Sequence, residues 1–231
     1  MSVENAKRSA AAAALEMVAP EMTLGLGTGS TARHFVDLLG KKVREGLYVR
    51  AIPTSNATKK QALSLGIECI EPDETTIIDL AVDGTDEIDG RLNLIKGGGG
   101  AHLREKIIAA AARDFIVIAD DSKKVSDLGA FPLPLEIESF SWPLTVQMVR
   151  KSLTELGYDT PGLSFRPSEQ GMFQSDGGHF ILDCTLGRIK DAEILDEKLR
   201  SIPGVIETGL FVGMVTKAYI ANTNGSVDTV T

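Results

Sequence analysis

The first half of the chain alternates short apolar runs with amphipathic stretches. Residues 23–27 (TLGLG), 48–52, 67–70, 77–82, 92–95 and 115–119 (FIVIA) are short, apolar and partly β-branched, the pattern of strands. Between them the period lengthens. Phe35, Val36, Leu38 and Leu39 mark a helix after the first strand, and residues 58–65 form another that Gly66 ends. A further helix follows four consecutive glycines, with Leu103, Ile107, Ile108, Ala111, Ala112 and Phe115 as its apolar stripe. Glu105 falls at the edge of that stripe, whereas Lys106 and Arg113 lie farther toward solvent. Residues 1–19 read as a helix broken by Pro20, because Glu4, Lys7, Arg8 and Glu16 interrupt its alanine run at helical spacing. Strand and helix in alternation predict an α/β fold with a mostly parallel sheet covered by helices.

From residue 131 the texture changes. Pro132, Pro134, Pro143 and Pro161 punctuate a strand (133–137), a helix (144–156), strands near 163–166 and 180–184, and a helix (192–202). That order predicts a small α+β domain over 131–203 with an antiparallel sheet. Segments 204–212 and 217–222 read as strands returning to the first domain, which would then comprise 1–130 and 204–231.

In open α/β sheets ligands bind beyond the carboxyl ends of the strands. The segments in that position are Gly27 to Thr31 (GTGST), Asp83 to Asp86 (DGTD), Lys96 to Gly100 (KGGGG) and Asp120 to Lys124 (DDSKK). All of them are expected to converge on one crevice.

Charge and cysteine content narrow the partners. A formal net charge of -8 lacks the basic stripe of a nucleic-acid binder. No apolar run approaches the ~20 residues that span a membrane. Cys69 and Cys184 stand far apart in no CxxC pairing, with three histidines in the whole chain, so neither a disulfide scaffold nor a zinc site is expected. Buried thiols in a reducing, cytoplasmic compartment are the expectation.

The four loops differ in what they offer. Thr28, Gly29, Ser30 and Thr31 combine flexible backbone N–H groups, hydroxyls and a helix start, which suits a phosphate. A dinucleotide fingerprint fits poorly: Thr31 stands where the third glycine belongs, and the second strand ends in Ile52-Pro53-Thr54 rather than an acid. Asp83 and Asp86, flanking Gly84 and Thr85, are a carboxylate pair suited to sugar hydroxyls, proton transfer or a metal. With no neighbouring histidine and with Lys96 as a resident cation, sugar contact ranks above metal; an Asx-capped acidic turn is the plain alternative. Gly97, Gly98 and Gly99 let an anion or sugar approach the main chain closely. Lys123 is the better phosphate partner in DDSKK, with Lys124 left to solvent. His102 reads as an exposed residue at the helix start. Glu105 has two open readings, a partly buried carboxylate facing a site or a first-turn glutamate that complements the helix dipole.

GTGST, DGTDEID, KGGGG followed by LREKI, ADDSKK and FPLPLE occur here in the order and at the spacing of ribose-5-phosphate isomerase of the A type, which the chain resembles over nearly its whole length. The resemblance implies a Rossmann-like domain with helices on both faces of its sheet, a smaller inserted α+β domain, and assembly as a homodimer or homotetramer. It implies an aldose–ketose isomerase that interconverts ribose 5-phosphate and ribulose 5-phosphate with no metal and no cofactor. In that resemblance Glu105 looks like the base. Asp83, Asp86 and Lys96 look like the groups for ring opening and the enediolate oxygens, and Thr28 to Thr31 with Lys123 like substrate and phosphate contacts. A non-catalytic sugar-phosphate sensor and an amino-sugar phosphate deaminase are the alternatives. The sensor would carry a helix-turn-helix ahead of the sheet, and the first strand already begins near Thr23.

Overall fold

The computed structural model describes residues 2–169 and 171–231. The elements along the chain are α1 (Val3–Leu15), β1 (Thr23–Leu26), α2 (Ser30–Arg44), β2 (Arg50–Pro53), α3 (Asn56–Ser64), β3 (Glu68–Cys69) and β4 (Ile78–Asp83). Then come β5 (Glu87–Ile88), β6 (Leu94–Ile95), α4 (His102–Ala111), β7 (Ala112–Asp120), a 3-10 turn (Asp121–Lys123) and β8 (Leu133–Ile137). The last part holds α5 (Trp142–Glu155), β9 (Gly162–Phe165), β10 (Pro167–Ser168), β11 (Gly171–Met172), β12 (Phe180–Thr185), α6 (Ala192–Arg200), β13 (Val205–Thr208), β14 (Leu210–Phe211), β15 (Lys217–Ala221) and β16 (Val227–Val230). They fall into two compact units.

The first unit comprises Met1–Thr85, Arg104–Lys124 and Met214–Thr231. Its sheet runs β16-β15-β7-β4-β1-β2-β3, parallel throughout except for the antiparallel edge strand β16. The expected α/β architecture is therefore present. From β1 the chain winds one way through β2 and β3, then restarts at β4 and winds the other way through β7 and β15. The reversal between β1 and β4 is the topological switch point, where adjacent strand ends open a crevice. The alanine run of α1 buries Ala6, Ala10, Ala11 and Ala14, small side chains that let the helix lie close on β7 and β15, and Phe35, Val36 and Leu39 of α2 complete the core with Leu24, Leu26, Val82 and Ile116.

Helix α4 departs from its expected form. Ile108 and Phe115 are buried as read, but Lys106 is buried too and Ile107 is 57% exposed. The helix stops at Ala111 because Ala112 already pairs with Ile78 of β4, so tertiary pairing overrides the helical propensity of an alanine run. Gly25 explains how close α4 lies: a Cβ there would stand 2.3 Å from Ile108 Cγ2.

The second unit comprises Asp86–Leu103 and Val125–Gly213. Its four-stranded antiparallel sheet runs β13-β8-β12-β9, and β14-β6-β5 form a smaller one. The core is Leu133, Leu135 and Ile137 of β8 with Leu182, Cys184, Val149, Leu153, Leu195 and Leu199. It extends beyond the expected 131–203. Residues 204–213 join it because Val205 and Thr208 pair with β8, and 86–103 join it because β6 pairs with β14. A long sequence separation hid both pairings. Among the described residues no helix is long and apolar enough to cross a membrane.

Candidate active site

In the first unit the loops after β1, β4 and β7 emerge at the carboxyl end of one parallel sheet. Asp83, the last residue of β4, is 3% exposed, and its Oδ1 accepts hydrogen bonds from the backbone N–H of Thr28 (3.1 Å) and of Gly84 (2.7 Å). One carboxylate thus ties the loop after β1 to the loop after β4 across the switch point. Gly27 has to be glycine, since a Cβ would lie 2.1 Å from Asp83 Cγ. A Cβ on Gly84 would in turn meet Thr31 at 3.6 Å, so GTGST and DGTD lie against one another.

The threonines behind the loop fix its shape. Thr28 Oγ1 lies 2.8 Å from Thr54 Oγ1 and 3.2 Å from Thr58 Oγ1, and Thr58 Oγ1 donates to the carbonyl of Gly27 at 3.0 Å. Gly29 takes φ of 119°, open to glycine and costly for other residues, and caps α2. Gly29 and Ser30 are exposed at the start of a 15-residue helix, so accessible N–H groups and the helix dipole favour an anion there.

Sequence reading missed a cation at this point. Lys7 of α1 donates to Ser30 Oγ at 3.0 Å, and Glu4 holds the same ammonium at 2.8 Å while accepting from His34 at 2.9 Å. The hydrogen bond from Lys7, reinforced by His34, holds the Glu4 carboxyl below the usual carboxylate range. Nothing local in VENAKRSA distinguishes Lys7 from any other helix lysine; only the packing of α1 on α2 brings it to Ser30. Lys123, in the 3-10 turn after β7, is half-buried, and Lys124 is exposed, in the order expected.

Glu105 belongs to this unit and sits in the first turn of α4, 5% exposed. A carboxylate leaves water only at a cost, so burial on this scale favours a carboxylate facing a site over one that only complements the helix dipole.

In the second unit Asp86 and KGGGG come together. Asp86 is half-buried and its Oδ2 accepts the N–H of Gly98 at 2.7 Å, while its own N–H donates to the carbonyl of Ile95 at 2.9 Å. Lys96 is 2% exposed; its N–H donates to the carbonyl of Gly209 at 2.8 Å, and its ammonium lies 5.5 Å from the centre of the Phe211 ring. The GLF segment is thereby explained, for a Cβ on Gly209 would meet the carbonyl oxygen of Lys96 at 2.3 Å. The other acids of DGTDEID serve the scaffold. Glu87 accepts the N–H groups of Gly129 and Phe131, and Asp89 accepts those of Arg91 and Asn93 in an Asx-type turn.

The glycines differ in their reasons. Gly97 has φ of 109°, and a Cβ would lie 2.7 Å from His102 Nδ1; on Gly98 it would lie 2.6 Å from Asp86 Oδ1, and on Gly100 2.4 Å from the Phe173 ring. Gly98 and Gly99 are exposed, leaving backbone accessible to a ligand. His102 corrects the sequence reading: it is fully buried, with Nε2 3.4 Å from the carbonyl of Glu207, because the turn folds Gly97 back onto it. Arg166 was not foreseen either. It forms a two-pronged pair with Asp183 and donates to the carbonyls of Gly97 and Gly98. Among the described residues no three histidine, cysteine or acidic side chains are arranged to hold a metal ion.

Comparison with known proteins bears on this arrangement. The family profile described as ribose 5-phosphate isomerase A (phosphoriboisomerase A) matches residues 50–225. Ribose-5-phosphate isomerase A of Rhodopseudomonas palustris strain BisB18 is 54% identical over 226 residues, 97% of each chain. The Sinorhizobium fredii protein of the same name is 49% identical, covering 98% of this chain and 97% of that one. Among solved structures, a D-ribose-5-phosphate isomerase in complex with phospho-erythronic acid superposes with a TM-score of 0.91 at 36% identity, covering 100% of this chain and 99% of the other. The Plasmodium falciparum ribose 5-phosphate isomerase does so with a TM-score of 0.92 at 32% identity and 98% coverage of both.

Proposed function

The chain belongs to the ribose 5-phosphate isomerase A family and is an aldose–ketose isomerase of pentose phosphate metabolism that interconverts D-ribose 5-phosphate and D-ribulose 5-phosphate; on that premise we propose the roles of its residues. Glu105 is the base. It takes the C2 proton of the open-chain aldose and returns it to C1, so one carboxylate serves both halves of the reaction. Lys96 and the N–H groups of Gly97, Gly98 and Gly99 stabilise the enediolate oxygens, where fixed positive charge and backbone donors count most. Asp83 and Asp86, with Gly84 and Thr85 between them, contact the sugar hydroxyls and move protons during ring opening. Thr28, Gly29, Ser30 and Thr31 bind the phosphate together with Lys123, and Lys7 joins them through Ser30. Grip on the phosphate lets remote binding energy orient the reacting carbons.

One observation carries these assignments: Asp83, Lys96 and Glu105, charged side chains that sit in water in most proteins, are respectively 3, 2 and 5% exposed. The test is formation of ribulose 5-phosphate from ribose 5-phosphate by the purified protein and by Glu105→Gln, each with and without EDTA. Turnover that persists in EDTA and collapses in Glu105→Gln supports the roles. Loss in EDTA, restored by a divalent ion, would reassign the aspartates to a metal.

We infer in addition a cytoplasmic enzyme that assembles as a homodimer or homotetramer. Support for assembly comes from the second unit, where Phe140, in the turn before α5, is 81% exposed and Leu144 and Met148, one turn apart on α5, are also exposed. A large exposed apolar patch is the usual mark of a covered face.

A further inference from the structure

Residues 97 to 100 form a β-turn, closed by the N–H of Gly100 donating to the carbonyl of Gly97 at 2.9 Å. Neither of its central residues, Gly98 and Gly99, is at positive φ, which places the turn in the type I class. Type II differs mainly by rotation of the central peptide and needs positive φ at Gly99. Glycine adopts that φ freely and is favoured there, so the sequence alone leaves the central peptide free to flip.

Arg166 opposes the flip. The carbonyl of the central peptide is that of Gly98, and it accepts from Arg166 Nη1 at 3.0 Å. The same nitrogen donates to the carbonyl of Gly97 at 2.8 Å. Peptides are trans, so each N–H points opposite to its carbonyl. The Gly97–Gly98 peptide is therefore held at both ends, by Arg166 on oxygen and by Asp86 on nitrogen at 2.7 Å. By the same geometry the N–H of Gly99 is turned away from the guanidinium.

The guanidinium is itself fixed. Nε and Nη2 donate to the two carboxylate oxygens of Asp183 at 3.1 and 2.6 Å. Ser164 of β9 stands directly opposite Asp183 of β12, so Arg166, two residues on, falls on the same face as a diagonal neighbour. The Phe173 ring lies 5.9 Å from the guanidinium carbon and fills the space beside Gly100 that a Cβ would need. A planar fork that bonds a carboxylate with one edge and two carbonyls with another is specific to arginine.

We infer that Arg166 is a positioning residue that locks the Gly98–Gly99 peptide, so that the N–H of Gly99 is presented as a donor to the enediolate. This rests on the proposed role of the glycine turn at the reacting carbons. Release of the lock costs transition-state stabilisation while the phosphate grip, built from other residues, persists.

The test compares wild type, Arg166→Lys and Arg166→Ala. Readouts are kcat and KM for ribose 5-phosphate, inhibition by inorganic phosphate, inhibition by phospho-erythronic acid, whose carboxylate resembles the charge of the enediolate, and thermal melting. Expected in Arg166→Lys is a fall in kcat of about 10- to 100-fold, short of the ~10²–10³ lost with an outright donor, because the turn still samples the active orientation. Phospho-erythronic acid should weaken in parallel, and inorganic phosphate by less than about threefold. Guanidinium at low millimolar concentration should restore part of the activity of Arg166→Ala. A folded Arg166→Lys with kcat within about threefold of wild type would overturn the lock, as would equal losses for phosphate and phospho-erythronic acid. If Arg166→Lys melts below the assay temperature, partial rescue of Arg166→Ala decides, and its absence counts against the lock. Glu105→Gln assayed alongside keeps the two ideas apart: full turnover there removes the site assignment itself, whereas inactivity there with a normal Arg166→Lys removes only the lock.

Discussion

Glu105 and Asp83 are both buried carboxylates, and their surroundings suit them to different tasks. Asp83 accepts two backbone N–H groups through one oxygen, which fixes its position. It is built to hold still. Glu105, at the first turn of α4, is the group whose chemistry a substitution can isolate. In Glu105→Gln the shape survives and the basic oxygen does not, so turnover should drop by on the order of 10²–10⁴ while melting stays close to wild type. A dipole-complementing glutamate would give the reverse, a stability loss of roughly 0.3–1 kcal/mol with near-normal turnover. At the other end of the substrate, Lys123→Ala and Lys7→Met should each weaken ribose 5-phosphate far more than unphosphorylated ribose. Steady-state kinetics on both sugars checks this; equal losses would place those lysines in the scaffold or at the reacting carbons.

At the scale of elements, the glycine positions show why loops of this kind depend on the strands beside them. Gly27 follows β1 where Asp83 ends β4, and the two strands are paired neighbours with Leu26 opposite Val82. There is no room for a methyl group between them. Gly27→Ala should therefore displace the Asp83 carboxylate, destabilise the fold by about 1–3 kcal/mol or more as overpacking does, and lower kcat/KM beyond what the stability loss explains. Denaturant melts and kinetics on the same preparation test it, and a stable, fully active Gly27→Ala would show that the crevice is looser than its geometry states. The same reasoning covers α4. Gly25 gives the helix its close seat against Ile108, which lies on the same side of α4 as Glu105, three residues before it.

At the scale of the whole molecule, each compact unit carries its own hydrophobic core and its own cluster of polar side chains. Chain continuity links the clusters: Thr85 and Asp86 are consecutive, and α4 has its first residues in one unit and Glu105 in the other. The proposed assembly belongs to this scale too. Leu144→Lys places a charge on the exposed side of α5 and should shift the protein toward monomer in sedimentation or light scattering. An unchanged mass would move the interface elsewhere, and a monomeric wild type would remove it.

What the sequence determined by itself was whatever depends on near neighbours. Alternating strand and helix periods and loops rich in glycine and acid after successive strands follow from local pattern, which is why the α/β class and the strands near their observed positions could be read directly, and why those loops could be named as candidates. Only the tertiary structure decided what depends on partners far along the chain. His102 reads as exposed until the turn folds Gly97 against it, Ala112 reads as helix until β4 claims it, and residues 204–213 read as part of the first sheet until β8 and β6 pair with them. Lys7 and Arg166 sit 23 and about 68 residues from the groups they serve, and no periodicity carries information over such a distance. The physical reason is the same in each case: burial and hydrogen-bond partnership are properties of a packed neighbourhood, and the chain specifies that neighbourhood only once it has folded.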